Sequence, residues 1–468
     1  MGCSPAAKFG ALIGTALLVA GCSSRGRGSA RPSRPVKHPN VMLIVIETLR
    51  ADHVGCYGYT PSPTPNLDAL ANQGVRFSHL YANAPWTLPS VASLFTSRYP
   101  SECGLGRAPG ESVEHIQANY LLALAPGLPT LAETFRAAGY STRGATANMY
   151  LGPAYQVDFR RGFEHYWGAT SPKEETADVL TRLVLRKLQT DLQEPFFMWL
   201  QYMDPHAPYA PPQLSKAPPG SEEEALRQHP LNMYHNDRFT DVQKARLGQL
   251  YDLEIAFADQ HIGTLMDGLK KRGLDRRTII FVTSDHGEEF WEHGGIGHGQ
   301  SLYDEQLHVP GILLLPWQRG AAQVVSEQVR LIDVAPTLAA LAGVPAPEGW
   351  EGEPFWDLGG QRKSASRTVL AEGVRYRSEQ RGGRSPRYKS IEHAKSGALE
   401  VYDLRTDPGE KTNLASRTPP EAHDFVESVR QWAGQMNRSA EEFRPKRLPR
   451  TRPLSQRQKE MLRSLGYL

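Results

Sequence analysis

Between Asp285 and His298 stand one aspartate, three glutamates (Glu288, Glu289, Glu292) and three histidines (His286, His293, His298). Carboxylate oxygens and imidazole nitrogens are ordinary ligands of divalent cations, and their density here reads as a metal-binding loop. Gly287, Gly294, Gly295, Gly297 and Gly299 let the backbone come close to a small ligand. A surface loop with chance histidines is the alternative. The run just before, residues 278–282, is β-branched and aromatic, the composition of a buried strand. Open α/β sheets bind ligands outside the carboxyl ends of their strands, which is where Asp285 and His286 would then lie.

Two more apolar runs end in the same manner. Residues 41–46 lead into Glu47-Thr48, and residues 195–200 lead to Asp204-Pro205-His206. The first is continuous in the way of a central parallel strand. Three such endings in a parallel-sheet protein make a site rather than three coincidences.

The elements that must position these residues follow from local signals. Thr64-Pro65-Asn66 opens a helix with Thr64 as N-cap and Pro65 in the first turn, and Gly74 closes it. Trp86-Thr87-Leu88-Pro89-Ser90 precedes a helix running to about Thr96. Further helices are predicted at 131–138, 240–272 and 333–341, with a strand at 311–315. Strands alternating with helices predict a doubly wound α/β domain over 40–345. From 346 the texture changes to short strands and turns with Arg-rich loops at 375–389, so 346–415 is read as a small second domain. A helix near 420–437 and a basic tail complete 416–468.

At 468 residues, 40 % hydrophobic and 22 % charged, the chain is globular and long enough for one large and one small core. A net charge of +3 gives no case for a nucleic-acid partner. Lys8 precedes an apolar run, 9–20, too short to cross a bilayer and typical of a signal-peptide core. Met1-Gly2-Cys3 hints at N-myristoylation, but Ala6 stands where that motif wants Ser or Thr. Residues 23–39 read as a flexible basic tether. Export would permit a disulfide between Cys56 and Cys103; two cysteines do not fix their distance, and they are read as unpaired.

Several segments carry a resemblance. They are Pro39-Asn40-Val41 through Glu47-Thr48-Leu49-Arg50-Ala51-Asp52-His53, Thr64-Pro65-Asn66-Leu67-Asp68, Ala84-Pro85-Trp86-Thr87-Leu88-Pro89-Ser90, Asp204-Pro205-His206-Ala207-Pro208-Tyr209, Ser284-Asp285-His286-Gly287-Glu288 and Tyr402-Asp403-Leu404 with Asp407-Pro408-Gly409-Glu410. In this order they resemble the sulfatases of the alkaline phosphatase superfamily. The resemblance implies a large α/β domain with a mixed sheet and a smaller C-terminal antiparallel sheet. It also implies a metal-dependent hydrolase of sulfate or phosphate esters.

Carried over position by position, Glu47, Thr87, Asp285 and His286 would hold one divalent ion. Calcium is usual for the family, and His286 shifts the balance toward manganese or zinc. Thr87 stands at the nucleophile position. His206 and His298 stand where substrate-anion and acid groups sit, and Asn148 and Tyr150 replace a basic pair. The family's second metal carboxylate is Thr48 here, and its first is Glu47 in place of Asp. Sulfatases proper carry Cys or Ser at the nucleophile, with Pro two and Arg four residues on, and oxidise it to formylglycine. Thr87, Pro89 and Val91 imply no such modification; Thr87 as a metal-activated alkoxide is the counterpart, and a plain helix-capping role is the alternative. Val19-Ala20-Gly21-Cys22 resembles the lipobox of bacterial lipoproteins, which implies lipidation of Cys22 and a membrane-tethered protein of the cell envelope. The implied partner is a small anionic ester or a sulfated or phosphorylated glycan or lipid. Transfer of a phosphoryl-linked group through phospho-Thr87, or a degenerate relative that only binds an anionic glycan or lipid, are the competing functions.

Overall fold

The strand that leads to Glu47, β1 (Asn40–Ile46), is buried at every position. It lies between β5 (Phe196–Tyr202) and β6 (Thr278–Thr283), parallel to both. An apolar run with no polar alternation needs cover on both faces, and helices supply it. The computed structural model describes residues 38–112, 123–152, 158–190, 192–214, 217–228, 239–320, 322–356, 366–446, 455–456 and 459–460.

Five more strands extend this centre: β2 (Val75–Tyr81), β3 (Ser141–Thr146), β4 (His165–Gly168), β9 (His308–Leu314) and β10 (Gln323–Arg330). The sheet order is β10-β2-β9-β6-β1-β5-β3-β4. Only β9 is reversed, pairing antiparallel with β2 and β6. The sheet is therefore mixed, and its other strands all end at one edge. Trp199, Phe95, Phe163 and Phe197 pack on one another beside the centre, with Phe95 and Trp199 edge-on at 4.9 Å. Each such side chain contributes roughly 1.5–3 kcal/mol through burial.

The helices at Leu131–Ala137, Asp241–Lys271 and Val334–Ala342 match the periodicity read from the sequence. Residues 141–146, for which the sequence predicts no element, form β3. Its sequence, Ser-Thr-Arg-Gly-Ala-Thr, is buried throughout but carries little apolar signal. Thr64 holds the N-cap position without capping: its hydroxyl accepts from the Gly55 amide at 2.9 Å. The first-turn amides of Asn66 and Leu67 donate instead to Asp259 of the long helix, at 3.0 and 2.8 Å. Thr87 is the first helical residue of Thr87–Thr96, with Trp86 at the cap position.

The paired strands Glu289–Phe290 (β7) and Ile296–Gly297 (β8) fold the acidic loop back on itself. A second sheet of four antiparallel strands follows: β11 (Val369–Glu372), β12 (Gln380–Arg384), β13 (Tyr388–His393) and β14 (Leu399–Asp403). The helix His423–Phe443 packs on it, and a Cβ at Gly383 would overlap Val429 at 2.3 Å. The arginines expected in loops here are largely buried in ion pairs. Arg381 meets Glu372 at 3.0 Å, and Arg384 and Lys389 both reach Asp304, at 3.0 and 2.8 Å. The first pair lies within the second sheet; the other two tie that sheet to the short helix Asp304–Leu307, which leads into β9 of the first. Phe355, beyond residue 346, still packs on Phe77 of β2, 4.8 Å between rings.

Candidate active site

Register assembles the site. Thr146 of β3, Gln201 of β5, Val45 of β1 and Thr283 of β6 form one continuous row across the sheet. Side chains two residues apart on a strand share a face. Two residues past this row come Asn148, Glu47 and Asp285, all fully buried. Gln201, one rung lower on the same face, reaches up to them. Strand β2 ends at Tyr81 and delivers the helix Thr87–Thr96 to the same edge. Its Ser90 hydroxyl donates to the Asp285 carbonyl at 2.5 Å, seating the first turn against the β6 end.

The centre is Glu47. Its Oε1 accepts from the Thr87 hydroxyl at 2.7 Å and from Asn148 Nδ2 at 2.6 Å, and its Oε2 from Gln201 Nε2 at 3.2 Å. Asp285 Oδ1 accepts from the amides of His286 and Thr48 at 3.0 and 3.3 Å. Thr48 has a left-handed backbone, φ +56°, rare for a β-branched residue and a strain that sites of function often hold. His286 Nδ1 donates to the Gly287 carbonyl at 2.9 Å, so Nε2 carries the lone pair. That nitrogen lies 3.3 Å from Thr87 Oγ1 and 3.5 Å from Asp285 Oδ2.

The electrostatics demand a cation or a proton. Burial, then the Glu47 charge, raises the Asp285 carboxyl well above its usual range. Burial, then the neighbouring His298 and His206, holds His286 well below its usual range and hence neutral. One ligand atom from each of Glu47, Asp285 and His286 lies within 4.8 Å of the other two. A neutral imidazole with its second nitrogen bound to a backbone carbonyl, beside two desolvated carboxylates, is the donor set of a divalent-metal site. These residues fit the ion.

Three imidazoles line the approach. The His298 ring lies 4.5 Å from His286 and 5.0 Å from His206, centroid to centroid. His298 Nδ1 binds Glu288 Oε1 at 2.8 Å, and the other Glu288 oxygen accepts from the Tyr209 hydroxyl at 3.0 Å. Burial pushes Glu288 up to about 7 and His298 well down, so the low dielectric works against the charged form of each. His206 Nδ1 donates to the Ala207 carbonyl at 2.5 Å.

Sequence reasoning overlooked three neighbours. Gln201 is a lone amide inside an otherwise apolar and aromatic strand, which was its only signal. Glu288 stood in the opening cluster without a role. Arg375, in the Arg-rich segment, stacks its guanidinium on Trp86 and Tyr376 at 4.7 and 4.8 Å, and its charge acts on His298. Its amide donates to the Gly299 carbonyl at 2.7 Å, and Trp86 Nε1 donates to the Gly373 carbonyl at 2.6 Å. The second sheet thus completes the wall beside Thr87.

Other candidates lie elsewhere. Asp204 accepts from the Ala177 amide at 2.7 Å and pairs with Glu254, holding the His206 loop rather than joining the cluster. His293 ties Glu305 to the Glu410 carbonyl, at 2.7 and 3.1 Å, and fixes the loop. His53 and His308 pack, on Asp252 and the Ser78 carbonyl respectively. Cys56 and Cys103 are both free. Cys22 lies outside the described residues.

A sulfatase family model matches residues 39–344, which is more than half of the chain. The chain belongs to the sulfatase family. A second model, the C-terminal part of N-sulphoglucosamine sulphohydrolase, matches 292–436. Among curated relatives, a Delta 4,5-hexuronate-2-O-sulfatase of Bacteroides thetaiotaomicron is 26 % identical over 81 % of this chain and 84 % of its own length. Human arylsulfatase A is 27 % identical over 87 % and 88 %. The fold is that of a solved 2-O GAG sulfatase, with a TM-score of 0.69, 23 % identity and coverage of 87 % and 94 %. It matches equally a phosphonate monoester hydrolase of Agrobacterium radiobacter, with a TM-score of 0.69, 20 % identity and coverage of 86 % and 96 %. The sulfatase-family α/β fold with its antiparallel C-terminal sheet and the assignment to sulfuric or phosphoric ester hydrolases are established by these matches.

Proposed function

We propose that this sulfatase-family chain hydrolyses a sulfate or phosphate ester by in-line attack of the Thr87 hydroxyl. The observation that carries the reading is the position of Thr87. Its hydroxyl, on the first turn of a helix, is in contact with both Glu47 and His286 of the buried cluster. A helix N-terminus favours an anion, so the ester group is drawn to the end that presents the hydroxyl.

Glu47, Asp285 and His286 would hold the divalent ion, with Thr87 at its edge. A bound divalent ion supplies Lewis-acid stabilisation of the charge that builds on the ester oxygens. Thr87 Oγ1 forms a bond to sulfur or phosphorus while the ester oxygen's bond to that atom breaks. The Thr87 proton passes to Glu47 Oε1, toward which it already points. His298 gives the proton on Nε2 to the departing alcohol as its Nδ1 takes up the proton of the buried Glu288 carboxyl, and His206 and Arg375 bind the anion's remaining oxygens. Water then attacks the Thr87 ester, releasing inorganic sulfate or phosphate and restoring the hydroxyl.

The substrate class that the relatives support is a sulfated glycan: they include a Delta 4,5-hexuronate-2-O-sulfatase and a 2-O GAG sulfatase. The lipobox pattern at Cys22 supports a protein lipidated there and held at the bacterial cell envelope.

The test uses purified protein with Mn²⁺, Ca²⁺ or Zn²⁺, assayed on an aryl sulfate, a phosphate monoester and a phosphate diester. Turnover on one of these, lost in Thr87→Ala, is the expected result. No turnover above that control on any of them sinks the proposal. Trapping of a covalent Thr87 adduct with transfer to an acceptor other than water would move the assignment to a transferase.

A further inference from the structure

The cluster that would hold the ion offers three ligand side chains, Glu47, Asp285 and His286. No other acidic, imidazole or thiol group joins Glu47, Asp285 and His286 among the described residues. The side chain that does enter the space is Gln201. It is fully buried, and its Nε2 lies 3.2 Å from Glu47 Oε2 and 3.4 Å from Asp285 Oδ2. Its Oε1 is buried with no hydrogen-bond partner.

The two amides at the site differ in freedom. Asn148 donates to Glu47, but its Oδ1 accepts from the Tyr150 amide at 2.7 Å, so a backbone donor fixes which end faces the carboxylates. No donor fixes the Gln201 oxygen. The oxygen and nitrogen of a carboxamide are nearly the same size, and the terminal torsion lets them exchange places. With the carboxylates bare, the nitrogen belongs between them. With a cation there, the nitrogen's partial positive charge is repelled and the oxygen's lone pairs are attracted.

We propose that Gln201 is a further ligand of the metal centre, turning its Oε1 to the ion when the ion binds. This rests on the metal-centre reading above. Glu47, Asp285, Gln201 and His286 would then offer three oxygen donors, two carboxylate and one amide, and one imidazole. A neutral amide leaves the two carboxylate charges matched by one divalent ion. Oxygen-rich sets with one nitrogen suit Mn²⁺.

The test is isothermal titration of chelator-stripped protein with MnCl₂, alongside the melting temperature with and without Mn²⁺. Gln201→Leu, of similar volume and without polar atoms, is expected to weaken Mn²⁺ binding about 10- to 100-fold, the usual cost of losing a group that supports a metal. Its metal-free melting temperature is expected to fall by no more than a few degrees, because the carboxylates lose the Nε2 they share but can hold a proton in its place. Gln201→Glu should bind Mn²⁺ at least as tightly as wild type, yet melt earlier without metal, because three carboxylates then crowd the site. Unchanged Mn²⁺ affinity in Gln201→Leu, or weakened affinity in Gln201→Glu, overturns the proposal. It would make Gln201 a spacer between carboxylates. A wild-type protein that binds no divalent ion would overturn the metal centre itself, a separate outcome visible before any variant is made.

Discussion

The Thr87 hydroxyl donates a 2.7 Å hydrogen bond to Glu47 Oε1, and the same oxygen accepts from Asn148 at 2.6 Å. Glu47 is thus the acceptor on which the helix carrying Thr87 and the end of β3 converge. The extra methylene relative to aspartate is what lets a carboxylate rooted at the β1 end reach both donors.

Glu47→Asp therefore should not improve the enzyme, although aspartate is the residue that the sulfatase resemblance implies at this position. Withdrawing the carboxylate by about one carbon–carbon bond leaves the Thr87 and Asn148 donors buried without their acceptor, a loss of roughly 1–3 kcal/mol for each. Lower stability in denaturant titration and at least a tenfold drop in kcat are expected. Higher activity than wild type would count against this account.

Removal of metal should be felt in stability as well as turnover. Chelator-treated protein is expected to melt several degrees lower, because saturating an ion site at a hundredfold excess over Kd contributes about 2.7 kcal/mol. Asp285→Asn should abolish that difference and leave no stoichiometric ion in elemental analysis. A stoichiometric ion in Asp285→Asn would place the centre elsewhere.

Arg375 supplies a cation where Asn148, Tyr150 and Val91 supply none. Arg375→Met should raise the inhibition constants of inorganic sulfate and phosphate about tenfold or more, as expected for a lost charge-assisted hydrogen bond of roughly 1.5–3 kcal/mol. KM should rise more than kcat falls, and Arg375→Lys should restore part of the loss. Equal inhibition in all three proteins would assign Arg375 to packing on Trp86 alone.

Asp204 and Glu254 form a buried carboxyl pair that needs a shared proton. Burial raises both: Asp204 to about 6, and Glu254, also repelled by Asp204, further above its usual range. The folded protein therefore keeps protons that the unfolded chain releases near pH ~4. The stability these contribute is present below that value and is lost as pH rises through about 6 and beyond. Melting temperatures between about pH 5 and 8 should fall for the wild type and fall less for Glu254→Gln, which keeps a hydrogen-bonding side chain without the charge. Equal slopes would remove the pair from the pH dependence.

Several features were legible in the chain alone. Uninterrupted apolar runs announced β1, β5 and β6, because strands covered on both faces show no polar alternation. Glu47, Asp285 and His286 stood out as ligands at the ends of two of those runs, and the order of motifs carried the family. The strand β3 was hidden, since Ser, Thr and Gly at buried positions resemble a turn, and β10 alternates like an edge. What tertiary structure alone decided was which side chains meet. Register across β3, β5, β1 and β6 placed Gln201 beneath two carboxylates. The reversal of β9 brought the β2 end, and with it Thr87, to the common edge. The second sheet carried Arg375 back to His298 from far along the chain. Local sequence records the period and polarity of each element; pairing partners come from long-range hydrogen bonds and packing, which no single segment encodes.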